Sequence, residues 1–192
     1  MTCIVGFVEN EDIYIGADSI AIDEISYRVM GTPKVFIRDD MIFGYASSFR
    51  MGQILKNSFD IPKKPDYMDD EKYLQSLFID SLIKCYEEKN YSTIDNNAST
   101  GGNFLLGYHK KLYQIQDDFA ILDSNLYYDS IGVGADYAMG ALCAIEKLRA
   151  DMNVENKVKI ALEIASQFSL SCKPFHILKL EISPEKTEEI IV

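Results

Sequence analysis

The chain has no tryptophan, only two histidines in 192 residues, and four cysteines set far apart. Each scarcity closes a route to function. His109 and His176 are too few and too separated for an HExxH zinc site or for most histidine-dependent triads, and neither a GxSxG elbow nor a Walker loop occurs. Cys3, Cys85, Cys143 and Cys172 make no CxxC pair, so a zinc site or disulfide scaffold is not indicated and all four read as reduced, mostly buried thiols. No apolar run approaches the roughly 20 residues a membrane helix requires. The opening MTCIVGFVENED lacks the basic flank and long apolar stretch of a signal peptide. A cytoplasmic protein without a metal or a membrane partner is therefore expected.

Positive charge is also in short supply. Nineteen Lys and Arg stand against thirty Asp and Glu, a formal net charge of −11, which opposes binding to polyphosphate or anionic lipid, so no nucleic-acid partner is expected. The rest of the composition is ordinary: 47% hydrophobic and 26% charged residues suit a folded chain, and this length suits a single domain spanning 1–192 with a substantial core.

Short runs that are nearly all apolar or β-branched predict strands over Cys3 to Val8 and Ile13 to Ala17, joined by a polar turn, and a second pair over Lys34 to Ile37 and Met41 to Ala46. From Ser47 the period turns helical, with Phe49, Ile54 and Leu55 on one face, and a loop follows over 59–68. A longer helix begins at Asp69 or Asp70 and ends at Lys89-Asn90, with Leu74, Leu77, Phe78, Ser81, Leu82 and Cys85 inward; its acidic start, from Asp66 to Glu71, suits a helix N-terminus. Residues 91–102 read as a polar loop. Strands are predicted over Phe104 to Tyr108, Lys111 to Gln116 and Tyr127 to Ile131. Helices then run from about Ala135 to Arg149 and from about Val154 to Ser171, the second with Ile164 and Phe168 inward, before a last strand over Phe175 to Ile182. Residues 183–192 read as a flexible tail. This order predicts an α+β fold, a four-layer αββα sandwich with helices on both outer faces.

The N-terminus carries the chemistry. Removal of Met1 would expose the α-amine of Thr2 beside its own hydroxyl, and an amine with a reference pKa of about 7.7–8.0 can accept that proton near neutral pH. Asp18 closes the second strand and Lys34 opens the third, so both can converge on the start of the first. An ammonium there favours a neutral amine and a developing alkoxide, while a carboxylate orients the lysine. The plainer reading of the same residues is a strand-end salt bridge beside an ordinary threonine. Cys3 could act only if Thr2 were also removed, and as an inward strand residue it reads as packing. Gly132-Val133-Gly134 sits where a phosphate-binding turn would, but the third glycine is missing and Asp136 opposes phosphate.

Several segments taken together resemble one family. Met1-Thr2-Cys3-Ile4-Val5, Ile15 to Ser19, Lys34-Val35, Gly44-Tyr45-Ala46, Ile131 to Ala138 and Ala161 to Ala165 resemble, in order, the HslV-type peptidase, the bacterial relative of proteasome β subunits. The resemblance implies the N-terminal-nucleophile hydrolase fold, with Thr2 as nucleophile after Met1 removal and Lys34 and Asp18 supporting it. It also implies polypeptide substrates, a homo-oligomeric ring, a AAA+ ATPase partner and an oxyanion donor at the backbone N–H near Ser47, where the family usually has glycine. No cofactor is implied beyond a monovalent cation near Cys172. Further positions depart from the family: Val133 replaces a serine that bonds the N-terminal amine, Gln167 replaces an aspartate, and Cys172 and Lys173 replace a threonine and an asparagine, with Ser169 or Ser171 as candidate substitutes. Val133 and Gln167 favour the rival reading, a catalytically silent ring protein serving as an assembly or binding module.

Overall fold

Strand β1 (Cys3–Glu9) alternates its side chains between two different cores. Cys3, Val5 and Phe7 belong to one apolar cluster and Ile4 to another, as a period of two requires of a strand buried on both faces. The computed structural model describes residues 2–23, 26–91, 93–95, 98–149, 151–171, 173–181 and 188–191. It builds two five-stranded sheets around this pattern.

The first sheet contains β1, β2 (Asp12–Ala17), β12 (Tyr128–Gly132), β13 (His176–Leu180) and β14 (Glu188–Ile191), in the order β12-β1-β2-β13-β14. The second contains β5 (Val35–Arg38), β6 (Met41–Tyr45), β9 (Phe104–Tyr108), β10 (Lys111–Ile115) and β11 (Ile121–Asp123), in the order β11-β10-β9-β6-β5. Every pairing is antiparallel. Two small hairpins complete the strands: β3 (Ile20–Asp23) with β4 (Ser26–Val29), and β7 (Thr93–Asp95) with β8 (Ala98–Thr100).

Ile4, Ile13, Ile15, Val35, Ile42 and Leu105 fill the space between the sheets. Outside the first sheet, helices α4 (Ala135–Lys147) and α5 (Val154–Phe168) bury Ala138, Leu142, Val158, Ala161 and Leu162. Outside the second lie α1 (Phe49–Asn57), α2 (Asp70–Tyr73) and α3 (Ile79–Glu88), the last two joined by a π-helical turn over Leu74–Phe78. The expected αββα order is the order found. Among the described residues no helix is long and apolar enough to cross a membrane.

The differences from the sequence reading are local. The π turn adds a residue to the helical repeat, so Tyr73, Ile79 and Tyr86 turn inward while Leu77, expected in the core, is exposed. Phe168 sits in the last turn of α5, past the edge of the sheet, and stacks on Tyr137 at 5.4 Å while remaining 64% exposed. Thr93–Asp95 and Ala98–Thr100 pair as a hairpin inside the expected loop. The expected tail is part strand, because Glu188–Ile191 extends the first sheet beside β13.

Close approach of the sheets depends on Gly44. A Cβ there would lie 2.5 Å from Ile4 Cγ2 and 2.8 Å from Ile15 Cγ2, across the inter-sheet core. Gly44→Ala is expected to destabilise the fold by about 1–3 kcal/mol through overpacking, read as a lower urea midpoint at unchanged slope.

Candidate functional site

Antiparallel pairing of β1 with β2 places Ile4 opposite Ala17, so Asp18 follows directly beside the residues that open β1. The backbone closes the junction, with Asp18 N–H donating to the Cys3 carbonyl at 3.2 Å. Lys34 immediately precedes β5 in the facing sheet, its carbonyl accepting from Tyr45 N–H at 3.0 Å. Three strand ends thus bring Thr2, Asp18 and Lys34 together.

The side chains meet at hydrogen-bonding distance. Lys34 Nζ donates to Thr2 Oγ1 at 2.9 Å and to Asp18 Oδ1 and Oδ2 at 3.1 and 3.2 Å. Asp18 also accepts from the Cys3 and Ile20 N–H groups, each at 2.9 Å. Three donor groups therefore converge on two oxygens, the bonding an ionised carboxylate makes. Asp18 is 0% exposed and Lys34 2%, so little water screens the pair from the threonine hydroxyl. The Phe49 ring lies 5.8 Å from Lys34 Nζ and adds a cation–π contact.

A second set of groups holds the Thr2 backbone. Gly132, at φ 93°, passes so near the Thr2 carbonyl that a Cβ would collide with it, and Gly134 N–H donates to that carbonyl at 3.3 Å. The turn that resembled a phosphate site is a strand-to-helix junction fitted to the residue beside it. Val133, between the glycines, is 57% exposed. Gln167 is exposed on α5. Neither lines the cleft onto which Thr2 opens. Ser169 lies against the turn, its Oγ 3.0 Å from where a Gly134 Cβ would stand and 3.4 Å from Ser171 Oγ.

Thr2 opens onto a cleft of about 130 Å³ lined by Ile20, Ala21 and Ile22 of β3 on one side and by Ala46, Ser47, Ser48 and Phe49 on the other. Ser47, the expected oxyanion donor, lines this cleft, and its backbone N–H makes no hydrogen bond among the described residues. Ser48 caps α1, accepting from Arg50 and Met51 N–H at 3.1 and 3.4 Å. The first turn of α1 carries no acidic residue, so the positive end of its dipole stays uncompensated at the cleft. The β3 wall was missed in the sequence, although Ile20-Ala21-Ile22 facing Tyr27-Arg28-Val29 is an alternating pair.

The other candidates separate clearly. Cys3 is buried behind Thr2, and burial, partly offset by a hydrogen bond with Ser130, pushes its thiol up to about 12. Asp69 caps α2 through Lys72 N–H at 2.8 Å, and Asp70 pairs with Lys64 and His109, each at 3.0 Å, so the acidic run serves a helix start. Among the described residues no group of three or more His, Cys, Asp or Glu is placed to hold a metal ion. Cys172, the position expected beside a monovalent cation, lies outside the described residues.

Comparison with known proteins gives the fold a setting. No family model matches the chain, and no curated protein matches it. Solved structures do. BPH of Thiobacillus denitrificans in complex with epoxomicin aligns at TM-score 0.77 and 16% identity over 95% of this chain and 100% of that one; without that ligand, BPH aligns at TM-score 0.77 and 18% identity with the same coverage. Eukaryotic HslV from Trypanosoma brucei aligns at TM-score 0.66 and 16% identity over 93% of this chain and 99% of that one. The Gly-1 mutant of Anbu from Hyphomicrobium sp. strain MC1 aligns at TM-score 0.64 and 12% identity over 100% of this chain and 88% of that one. The fold is that of the proteasome-like N-terminal-nucleophile hydrolases.

Two outcomes test this geometry. Asp18→Ala strands a buried ammonium and is expected to lower stability by about 3–5 kcal/mol, whereas adding Lys34→Met should recover part of the loss. Denaturant melts of Asp18→Ala, Lys34→Met and the double variant decide it, and a loss in the double variant equal to the sum of the single losses would mean that the pair is not coupled. Cys3 should stay unmodified when the folded protein is treated with iodoacetamide at pH 8, and should react after unfolding, as peptide mapping can show.

Proposed function

We propose that this chain is a threonine-type peptidase that cleaves polypeptides through Thr2 once Met1 has been removed. The observation that carries the reading is the bridging position of Lys34 Nζ, 2.9 Å from Thr2 Oγ1 and bonded to both oxygens of buried Asp18. An isolated strand-end salt bridge would have no need of the threonine hydroxyl.

The proposed reaction follows from these positions. The free Thr2 amine takes the Oγ1 proton, directly or through water, and Oγ1 attacks the peptide carbonyl carbon. Lys34 stabilises the negative charge on the attacking oxygen, and the Ser47 N–H receives the oxyanion. The C–N bond breaks as the Thr2 ammonium returns its proton to the leaving amine. Water, deprotonated by the same amine, then hydrolyses the ester on Thr2 Oγ1, releasing a carboxylic acid and restoring the hydroxyl. No cofactor enters.

Assembly belongs to the same proposal: a cytoplasmic homo-oligomeric ring enclosing the sites and supplied with unfolded chains by a AAA+ ATPase. The exposed apolar group of Val133, Tyr137, Phe168 and Leu170 around the Gly134 turn supports an interface between copies. The rival reading, a silent ring protein acting as an assembly or binding module, draws on Val133 and Gln167, which stand where the resembled family has a serine and an aspartate and which do not line the Thr2 cleft.

Intact mass decides between them. The peptidase reading expects Met1 to be absent and one adduct to form with a threonine-directed electrophile such as epoxomicin, lost in Thr2→Ala. Lys34→Ala leaves Asp18 buried without its partner and should lose stability as Asp18→Ala does, and, assayed under conditions where its melt shows it folded, should lose about a thousandfold in kcat. Retained Met1, or an unreactive processed protein, would favour the silent ring.

A further inference from the structure

Residues 46–48 have left the β6 ladder and not yet entered α1, so regular secondary structure does not hold the peptide that presents the Ser47 N–H. One residue from another loop holds it instead. Ala46 N–H donates to the Asn103 carbonyl at 3.3 Å, Asn103 N–H donates to Ser47 Oγ at 2.8 Å, and Ser47 Oγ donates to Asn103 Oδ1 at 3.1 Å. The loop carrying Asn103 is itself fixed, because Gly101 N–H donates to the Asp117 carbonyl at 2.8 Å. Gly102, at φ 93°, packs so closely on Ser47 that a Cβ would lie 3.0 Å from the serine Cβ.

We propose that Asn103 is the positioning residue of the oxyanion site. Its side-chain carbonyl fixes the Ser47 hydroxyl and thereby the direction of the Ser47 N–H toward the oxygen that becomes negative over Thr2. The inference rests on the peptidase reading. An oxyanion donor is effective only if it is aimed before the charge develops, and the Ser47 peptide lies in an irregular, exposed segment. Glycine at this position would offer no side chain to hold. Serine supplies a hydroxyl that accepts from one group of Asn103 and donates to another, which removes the freedom of that peptide to rotate. Both side chains border solvent, so the bond adds little to folding stability; its effect falls on the step in which charge develops.

The test is a double-mutant cycle on peptide hydrolysis, comparing wild type, Asn103→Ala, Ser47→Gly and the double variant with a fluorogenic peptide, alongside urea melts. Asn103→Ala is expected to lower kcat about tenfold with KM within about twofold and the unfolding midpoint unchanged. In the Ser47→Gly background the same substitution should have no further effect, because the hydroxyl through which Asn103 acts is gone. Unchanged kcat in Asn103→Ala, equal losses in both backgrounds, or a loss matched by a fall in the unfolding midpoint would each overturn the inference. A wild-type protein without Thr2-dependent hydrolysis would remove the peptidase reading and this one with it, a failure recognisable before position 103 is touched.

Discussion

An ammonium group 2% exposed and a carboxylate with no exposure at all can be buried only together, because either one alone would carry an uncompensated charge into the interior. Lys34 and Asp18 come from opposite sheets, so their pairing ties the two layers at the end where β1 begins. Two hydroxyl or backbone donors in place of the lysine could not do this, since neither would bring the charge that Asp18 requires. The third partner of the ammonium is Thr2 Oγ1. A polar residue thus reaches the buried start of a strand whose next five residues are fully covered.

The layering explains why this end is suited to chemistry. Between the sheets the apolar core is built of Ile, Val, Leu and Ala, with one buried polar contact, Gln114 Nε2 donating to Asp129 Oδ1 at 2.9 Å. A buried ion pair stands at the strand ends, where β1, β2 and β5 meet and where α1 and the β3–β4 hairpin form the walls of a cleft. The low-polarity layer behind the site strengthens each electrostatic contact in it. The cleft lies on the open side of this end, beside the sheets and not between them.

Much of this arrangement was legible in the sequence. Thr2, Asp18 and Lys34 each adjoin the end of a short, strongly apolar strand, so a hairpin reading brings them together without knowledge of any loop. The elements that escaped were short. Strands of three or four residues, such as Thr93–Asp95 or Ile121–Asp123, contain too few repeats to establish a period. Leu77 was misplaced for another reason: a π turn shifts the phase of a helix while leaving its composition unchanged. Asn103 carried no readable signal, because its partner Ser47 is 56 residues away and both lie in polar segments.

The family resemblance and the structure weigh Val133 and Gln167 differently. By alignment they are two losses around the amine of Thr2. In space, the turn containing Val133 still holds the Thr2 carbonyl through its glycines, a task for backbone that the side chain at 133 does not affect. Past the end of α5 the helix is followed by two serines, with the Ser169 hydroxyl bonded to the Ala165 carbonyl at 2.7 Å and set against Gly134. Hydroxyl groups therefore remain at the junction from which the aligned serine is missing, carried by the neighbouring segment. Apolar side chains of similar volume would fill the space of the buried lysine–aspartate pair at least as stably, so folding stability alone does not account for an ion pair bonded to one threonine oxygen.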